Sequence, residues 1–114
     1  MSKIDEVAKS AAVRTLNDAF RKSLVGGSVV LTPGVFELSA KSLDQALNEV
    51  KSFDRFTKDN DPYGEHDFGA FDIAGQKLFF KIDYYDPSME SGSDDPADPA
   101  KTTRVLTLML AEEY

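Results

Sequence analysis

Between Ile4 and Leu24 the chain has neither Gly nor Pro, and Leu16, Phe20 and Leu24 recur every four residues with Ala12 and Val13 beside them. That spacing predicts one long amphipathic helix, with Lys9, Arg14, Asp18 and Arg21 on its polar side and Gly26-Gly27 ending it. Ser28-Val29-Val30-Leu31-Thr32 then reads as a short β-branched strand stopped by the turn pair Pro33-Gly34. A second helix is expected from Ser42, whose hydroxyl would cap it with Gln45 completing a capping box. Its buried stripe is Leu43, Ala46, Leu47, Val50 and Phe53, and the pattern stops after Phe56, where Lys58-Asp59-Asn60-Asp61-Pro62-Tyr63-Gly64 gathers turn-forming residues.

From Asp67 the period changes to two. Phe71 and Ile73 alternate with Asp72, Ala74-Gly75 makes the turn, and the return strand directs Leu78, Phe80, Ile82 and Tyr84 inward. Lys77, Phe79, Lys81, Asp83 and Tyr85 then face outward, because a slip of one residue would exchange the two sets. The stretch from Asp86 to Lys101, with Pro87, Gly92, Pro96 and Pro99, is a long polar loop. In Thr102–Leu110 the apolar run is nearly continuous and leaves helix and strand open, with Thr102, Thr103, Val105 and Thr107 favouring strand. The expected architecture is a single α+β domain over residues 1–114. In it, two helices from the N-terminal half pack on one face of a small antiparallel sheet of three to four strands.

Composition narrows the chemistry. The absence of cysteine removes disulfides, thiolate nucleophiles, zinc ribbons and iron–sulfur centres. The charged start Met1-Ser2-Lys3-Ile4-Asp5-Glu6 lacks the apolar stretch of a secretory leader, and no apolar run is long enough to span a bilayer, so a cytoplasmic location without membrane contact is expected. The net charge of −7 is unevenly distributed: residues 1–58 carry nine Lys/Arg against seven Asp/Glu, or +2, and residues 59–114 carry four against thirteen, or −9. Such a half repels nucleic-acid phosphates and attracts basic protein surfaces.

The densest polar cluster, Asp59-Asn60-Asp61-Pro62-Tyr63-Gly64-Glu65-His66-Asp67, contains the only histidine. Asp59, Asp61, Glu65, His66 and Asp67 are therefore the candidates for metal binding or acid–base work. As a calcium loop the spacing fails, since position 5 would be Tyr63 and the bidentate position 12 would be Ala70. The competing reading is an Asx-rich turn whose side chains bond nearby backbone amides. No nucleophile-elbow serine accompanies His66, and Gly26-Gly27 lies at the wrong end of a helix to hold phosphate, so no cofactor is expected. A second acidic cluster, Glu90-Ser91-Gly92-Ser93-Asp94-Asp95-Pro96-Ala97-Asp98, offers Glu90, Asp94, Asp95 and Asp98 as a charged arm, and Phe79 with Tyr85 offers an apolar patch on the hairpin.

Asn17-Asp18-Ala19-Phe20-Arg21, the run Phe53–Gly69, Lys81-Ile82-Asp83-Tyr84-Tyr85-Asp86 and Thr103-Arg104-Val105-Leu106-Thr107 through Tyr114 resemble the motifs of an uncharacterised bacterial family of small proteins. Its members often sit on plasmids and mobile elements of proteobacteria. The resemblance implies no activity, cofactor or catalytic residue, but it does imply a setting in which accessory and anti-defence proteins are common.

The leading functional expectation is a small acidic, non-enzymatic interaction protein. It would occupy a basic surface on a nucleic-acid-binding protein or complex, as DNA-mimic and anti-CRISPR-like inhibitors do by presenting carboxylates in place of phosphates. The alternatives are a small metal-dependent enzyme using the Asp59–Asp67 cluster and a structural subunit of a larger assembly.

Overall fold

In the computed structural model, which describes residues 2–114, helix α1 runs from Lys3 to Ser23. The Ser2 hydroxyl accepts from the Asp5 amide, Asp5 and Glu6 stand in the first turn, and Arg21 and Lys22 stand in the last, so both ends suit the helix dipole. The helix stops earlier than the Gly26-Gly27 pair predicts. Leu24 itself takes the left-handed conformation (φ 58°) and returns its amide to the Phe20 carbonyl.

Strand β1 follows at Gly27–Leu31. Pro33-Gly34, expected as a bare turn, opens the single helical turn α2, Pro33–Phe36, because proline at the first helical position sets φ and needs no amide partner. Helix α3 spans Ala40–Ser52, three residues longer at its start than the Ser42 cap predicts. Its cap is Ser39, whose hydroxyl accepts from the Ser42 amide, so Ser42 lies inside the helix. Strands β2 (Phe68–Ile73) and β3 (Gln76–Tyr85) form the expected hairpin, and β4 (Thr103–Leu110) resolves the ambiguous apolar segment as strand. Single 3-10 turns at Pro99–Lys101 and Ala111–Glu113 precede and follow β4.

The four strands lie in the order β1-β4-β3-β2. Pairing is antiparallel for β2 with β3 and for β3 with β4, while β1 runs parallel to β4. The sheet is thus mixed rather than purely antiparallel, because the chain leaves β1 and crosses through α2 and α3 before the hairpin begins. The central position of β4 explains its composition: flanked by strands on both edges, it buries Val105 and Met109 on one face and Leu106, Leu108 and Leu110 on the other.

The predicted hairpin register holds. Leu78, Phe80 and Ile82 are buried, with Tyr84 half-buried beside them, while Lys81 and Asp83 reach the opposite surface and pair at 3.0 Å. The helices cover the first face, where Phe20, Val35, Ala46, Val50 and Phe53 meet Phe71, Leu78, Phe80, Leu106 and Leu108. Phe53 stands edge-on to Phe80, with centroids 5.4 Å apart. Gly69 in β2 lies directly beneath this pair, where a Cβ atom would come within 2.3 Å of Phe80 and 2.9 Å of Phe53. Gly69→Ala is therefore expected to destabilise the fold by roughly 1–3 kcal/mol through overpacking, read as a lower urea midpoint at unchanged slope.

Candidate functional site

Four polar side chains lie inside the molecule, at Asn17, Arg21, Asp61 and Arg104 among the described residues, and together they organise the acid-rich loops. Asn17 is fully buried on the sheet-facing side of α1. Its amide nitrogen donates to the Glu65 carbonyl at 3.0 Å and to the Tyr84 hydroxyl at 2.8 Å, and its amide oxygen accepts from Arg104 Nε at 2.8 Å. The Tyr84 hydroxyl donates onward to the Glu65 carboxylate at 2.8 Å. Arg104 also donates to the Pro96 carbonyl and lies over the Tyr84 ring, 5.3 Å from its centroid. Burial pushes the Tyr84 phenol well above its ordinary value, with the Glu65 carboxylate adding to the rise, and burial lowers the Arg104 pKa against the opposing pull of Tyr84 and Glu65.

One turn further along α1, Arg21 is 2 % exposed and donates through Nη1 to the carbonyls of Val50 and Phe53, both at 2.8 Å. These carbonyls belong to the end of α3, whose last C=O groups have no partner within the helix, so Arg21 closes α3 from outside. The guanidinium sits 5.3 Å from the Phe56 ring centroid and 5.9 Å from that of Phe80, and Nε, without an oxygen acceptor, is enclosed among these groups.

His66 is joined to the same helix. Its Nδ1 lies 2.9 and 3.1 Å from the two carboxylate oxygens of Asp18, and Arg21 Nη2 donates to Asp18 at 2.9 Å. Burial works to raise the Asp18 pKa, but the hydrogen bonds and charges of Arg21 and His66 outweigh it and hold the carboxyl below its ordinary value. An ionised carboxylate only accepts, so Nδ1 carries a proton. The ring stacks on Phe56 at 3.9 Å with an interplanar angle of 4°, and Nε2 faces the Asp61 carboxylate at 3.7 Å. Asp61 in turn accepts from the amides of Glu65 and His66 at 3.0 and 3.1 Å, which holds His66 at a φ of 55°.

This arrangement decides between the readings of the Asp59–Asp67 cluster at the level of geometry. The two carboxylates approach opposite ring nitrogens, so Asp18, Asp61 and His66 do not converge on one point where an ion could sit. Asn60 makes the turn: its side chain accepts from the Thr57 amide at 2.9 Å and donates to the Arg55 carbonyl at 3.0 Å. Asp67 is half-buried, and desolvation together with the negative charge of Glu65 raises its pKa. Asp59 alone of the five candidates is fully exposed.

The second acidic cluster divides similarly. Asp95 accepts from the Ala97 amide and Asp98 caps the 3-10 turn by accepting from Ala100, so both are half-buried turn-makers and not members of a free arm. Glu90 and Asp94 are exposed. Phe79 and Tyr85 do not form a common patch. Phe79 packs against Phe68 and Tyr114, at 5.1 and 5.7 Å, whereas Tyr85 is a half-buried residue bridged through its backbone to Gly92.

Reading α1 as a helix with one polar side missed Asn17, Asp18 and Arg21. The available signal was positional: Asn17 falls four residues after Val13 and three before Phe20, within the apolar stripe itself. Arg104, at the start of the β4 apolar run, gave the same kind of signal. Both acid-rich loops dock on α1 through these residues. The loop before β2 binds it through Arg14 to the Gly64 carbonyl at 2.9 Å, Asn17 to Glu65 and Asp18 to His66. Ala97 of the loop before β4 faces Asp5, Ala8, Lys9 and Ala12 across a shallow cleft on a different flank of the helix.

The chain matches the family described as "Protein of unknown function (DUF3768)" over residues 31–113. The match includes β2, β3, β4 and both acidic loops, while Asn17, Asp18 and Arg21 lie before it. No curated protein and no solved structure matches the chain. Among the described residues no helix is long and apolar enough to cross a membrane.

Two substitutions test the electrostatics with opposite signs. The depressed pKa of Asp18 contributes stability that is present above its ordinary value of 3.8 and is lost as pH falls through the lower folded value. Asp18→Asn should therefore lower Tm at pH 7 and converge on the wild type in acid. The raised pKa of Asp67 costs stability as pH rises through 3.8 toward the folded value, so Asp67→Asn should raise Tm at pH 7. Thermal melts from pH 2 to pH 7 distinguish the two. Arg104→Leu leaves the Asn17 oxygen and the Pro96 carbonyl without their donor, and a loss of about 3 kcal/mol in urea unfolding is expected.

Proposed function

The chain belongs to the DUF3768 family, and we propose that it is a non-enzymatic protein-binding module whose exposed carboxylates engage a basic surface on a nucleic-acid-binding protein. The observation that carries this reading is the distribution of charge left over once the internal contacts are counted. Residues 59–114 carry −9, and two of their four cations are already committed: Arg104 is buried beneath the sheet and Lys81 pairs with Asp83. Asp59, Glu90 and Asp94 remain exposed, on the two loops that dock against α1. A surface of this kind attracts clustered Lys and Arg and speeds encounter with them.

The commitment of His66 supports binding over catalysis. Each ring nitrogen faces a carboxylate and one ring face is covered by Phe56, so the imidazole ties the loop to α1. The finer reading, an inhibitor that stands in for nucleic acid on a defence complex, follows from the same chemistry, because carboxylates in a basic groove take the place of phosphates.

The test uses the exposed acids and spares the turn-makers. Asp59→Lys, Glu90→Lys and Asp94→Lys together should change stability by about 0.5 kcal/mol or less per site. Wild type and triple variant serve as paired baits in host lysate, followed by kinetics with the purified partner. Slower association for the variant, a difference that shrinks as salt rises, and displacement of the partner's nucleic acid by the wild type are expected. Equal association rates for both proteins at low salt overturn the proposal.

A further inference from the structure

At one margin of the sheet, β1 has β4 on one side and no strand on the other. The Thr32 amide donates to the Leu108 carbonyl at 3.1 Å, which sets the alternation of the parallel ladder: Ser28 and Val30 bond toward β4, and the amides and carbonyls of Gly27, Val29 and Leu31 point away from it. An unpaired row of this kind takes another strand, and edge strands are ordinarily guarded by a charge, a proline or a bulge. Gly27-Ser28-Val29-Val30-Leu31 has none of these within it, whereas the opposite edge, β2, carries the exposed acid Asp72.

The surroundings of this edge are apolar. Val25 is 74 % exposed, Val30 44 % and Phe36 75 %, three large apolar side chains within twelve residues that bracket the strand. On the helix-covered face, Val29 and Leu31 stand at the margin of the core and are only half-buried, so a strand added here would continue the core as well as the sheet.

We propose that β1 is a dimerisation edge whose occupant is β1 of a second copy of this chain, paired antiparallel about Val29. In that register Val29 faces Val29, Gly27 faces Leu31 and Ser28 faces Val30, and the outward-pointing residues exchange about six backbone hydrogen bonds. The pairing puts no charge opposite a like charge. It also sets the chain entering β1, which carries exposed Lys22, beside the chain leaving β1 in the partner, which carries exposed Glu37, so opposite charges meet at both ends. A parallel pairing would bring like flanks together. The result is one eight-stranded sheet across a two-fold axis, an isologous interface. It leaves Asp59, Glu90 and Asp94 in the other loops of each copy, so this inference stands independently of the proposed function.

Sedimentation equilibrium of the full chain from micromolar to millimolar concentration should show a reversible monomer–dimer equilibrium. Ser28→Lys with Val30→Lys places lysines opposite lysines in the pairing, at two exposed positions, and should weaken dimerisation by at least about tenfold. Mixing this variant with Ser28→Glu/Val30→Glu should restore a heterodimer. In the wild type, hydrogen exchange at the Val29 and Leu31 amides should slow as concentration rises, a readout that needs no variant. A wild type that stays monomeric throughout overturns the proposal and leaves the edge to another extended chain. A dimer that keeps its affinity in the lysine variant, or exchange at Val29 that does not depend on concentration, overturns it as well.

Discussion

The contact between Asn17 and Arg104 holds together parts of the chain that have no other reason to meet. A fully buried amide and a nearly buried guanidinium satisfy one another across 87 positions of sequence, and each then has donors to spare for a loop carbonyl: Glu65 for Asn17, Pro96 for Arg104. Burying such groups costs several kcal/mol when unmet and little when met, so the pair makes the positions of both loops all-or-none. Tyr84 closes the circuit by accepting from Asn17 and donating to Glu65. The outcome is a polar centre beside the apolar core, with α1, β3 and β4 as its walls.

Arg21 performs the corresponding task one turn away. Its donors close the open carbonyls at the end of α3, its charge depresses the pKa of Asp18, and Asp18 holds His66. Local backbone geometry is thereby coupled to remote side chains: the φ of 55° at His66 is a strained choice for a residue with a Cβ, and it is sustained by Asp61 below and Asp18 beside it. Consuming the acids in this way has a functional corollary. Of the carboxylates in the two loops, those that build turns or bind the imidazole are turned inward, and the remainder define the electrostatic face the molecule shows to a partner.

Much of the fold was legible without coordinates. The alternation from Phe71 to Tyr84 specified a hairpin and its buried face, because a period of two admits only one register when one face is apolar. The spacing of Leu16, Phe20 and Leu24 specified α1, and the turn chemistry of Asn60, Pro62 and Gly64 specified a loop. Boundaries were less legible. Ser39 and Ser42 are equally good caps as residues, and the choice fell to Ser39 when the added turn of α3 came to follow α2.

What the amino-acid sequence determined by itself was everything that follows from neighbours a few positions apart: element type, the buried face of each element, the acidity of the second half and the lack of cysteine chemistry. Tertiary structure alone decided that β1 lies parallel to β4 at an open edge, that Arg21 and Arg104 are interior residues, and that His66 lies between Asp18 and Asp61. The physical reason is the same in each case. A charged side chain enters the interior only if specific acceptors wait for it, and the acceptors of Arg21 and Arg104 include Val50, Phe53 and Asn17, which lie between 29 and 87 residues away. Local periodicity carries no information about partners at that separation, so those positions read as surface until the chain closes on itself.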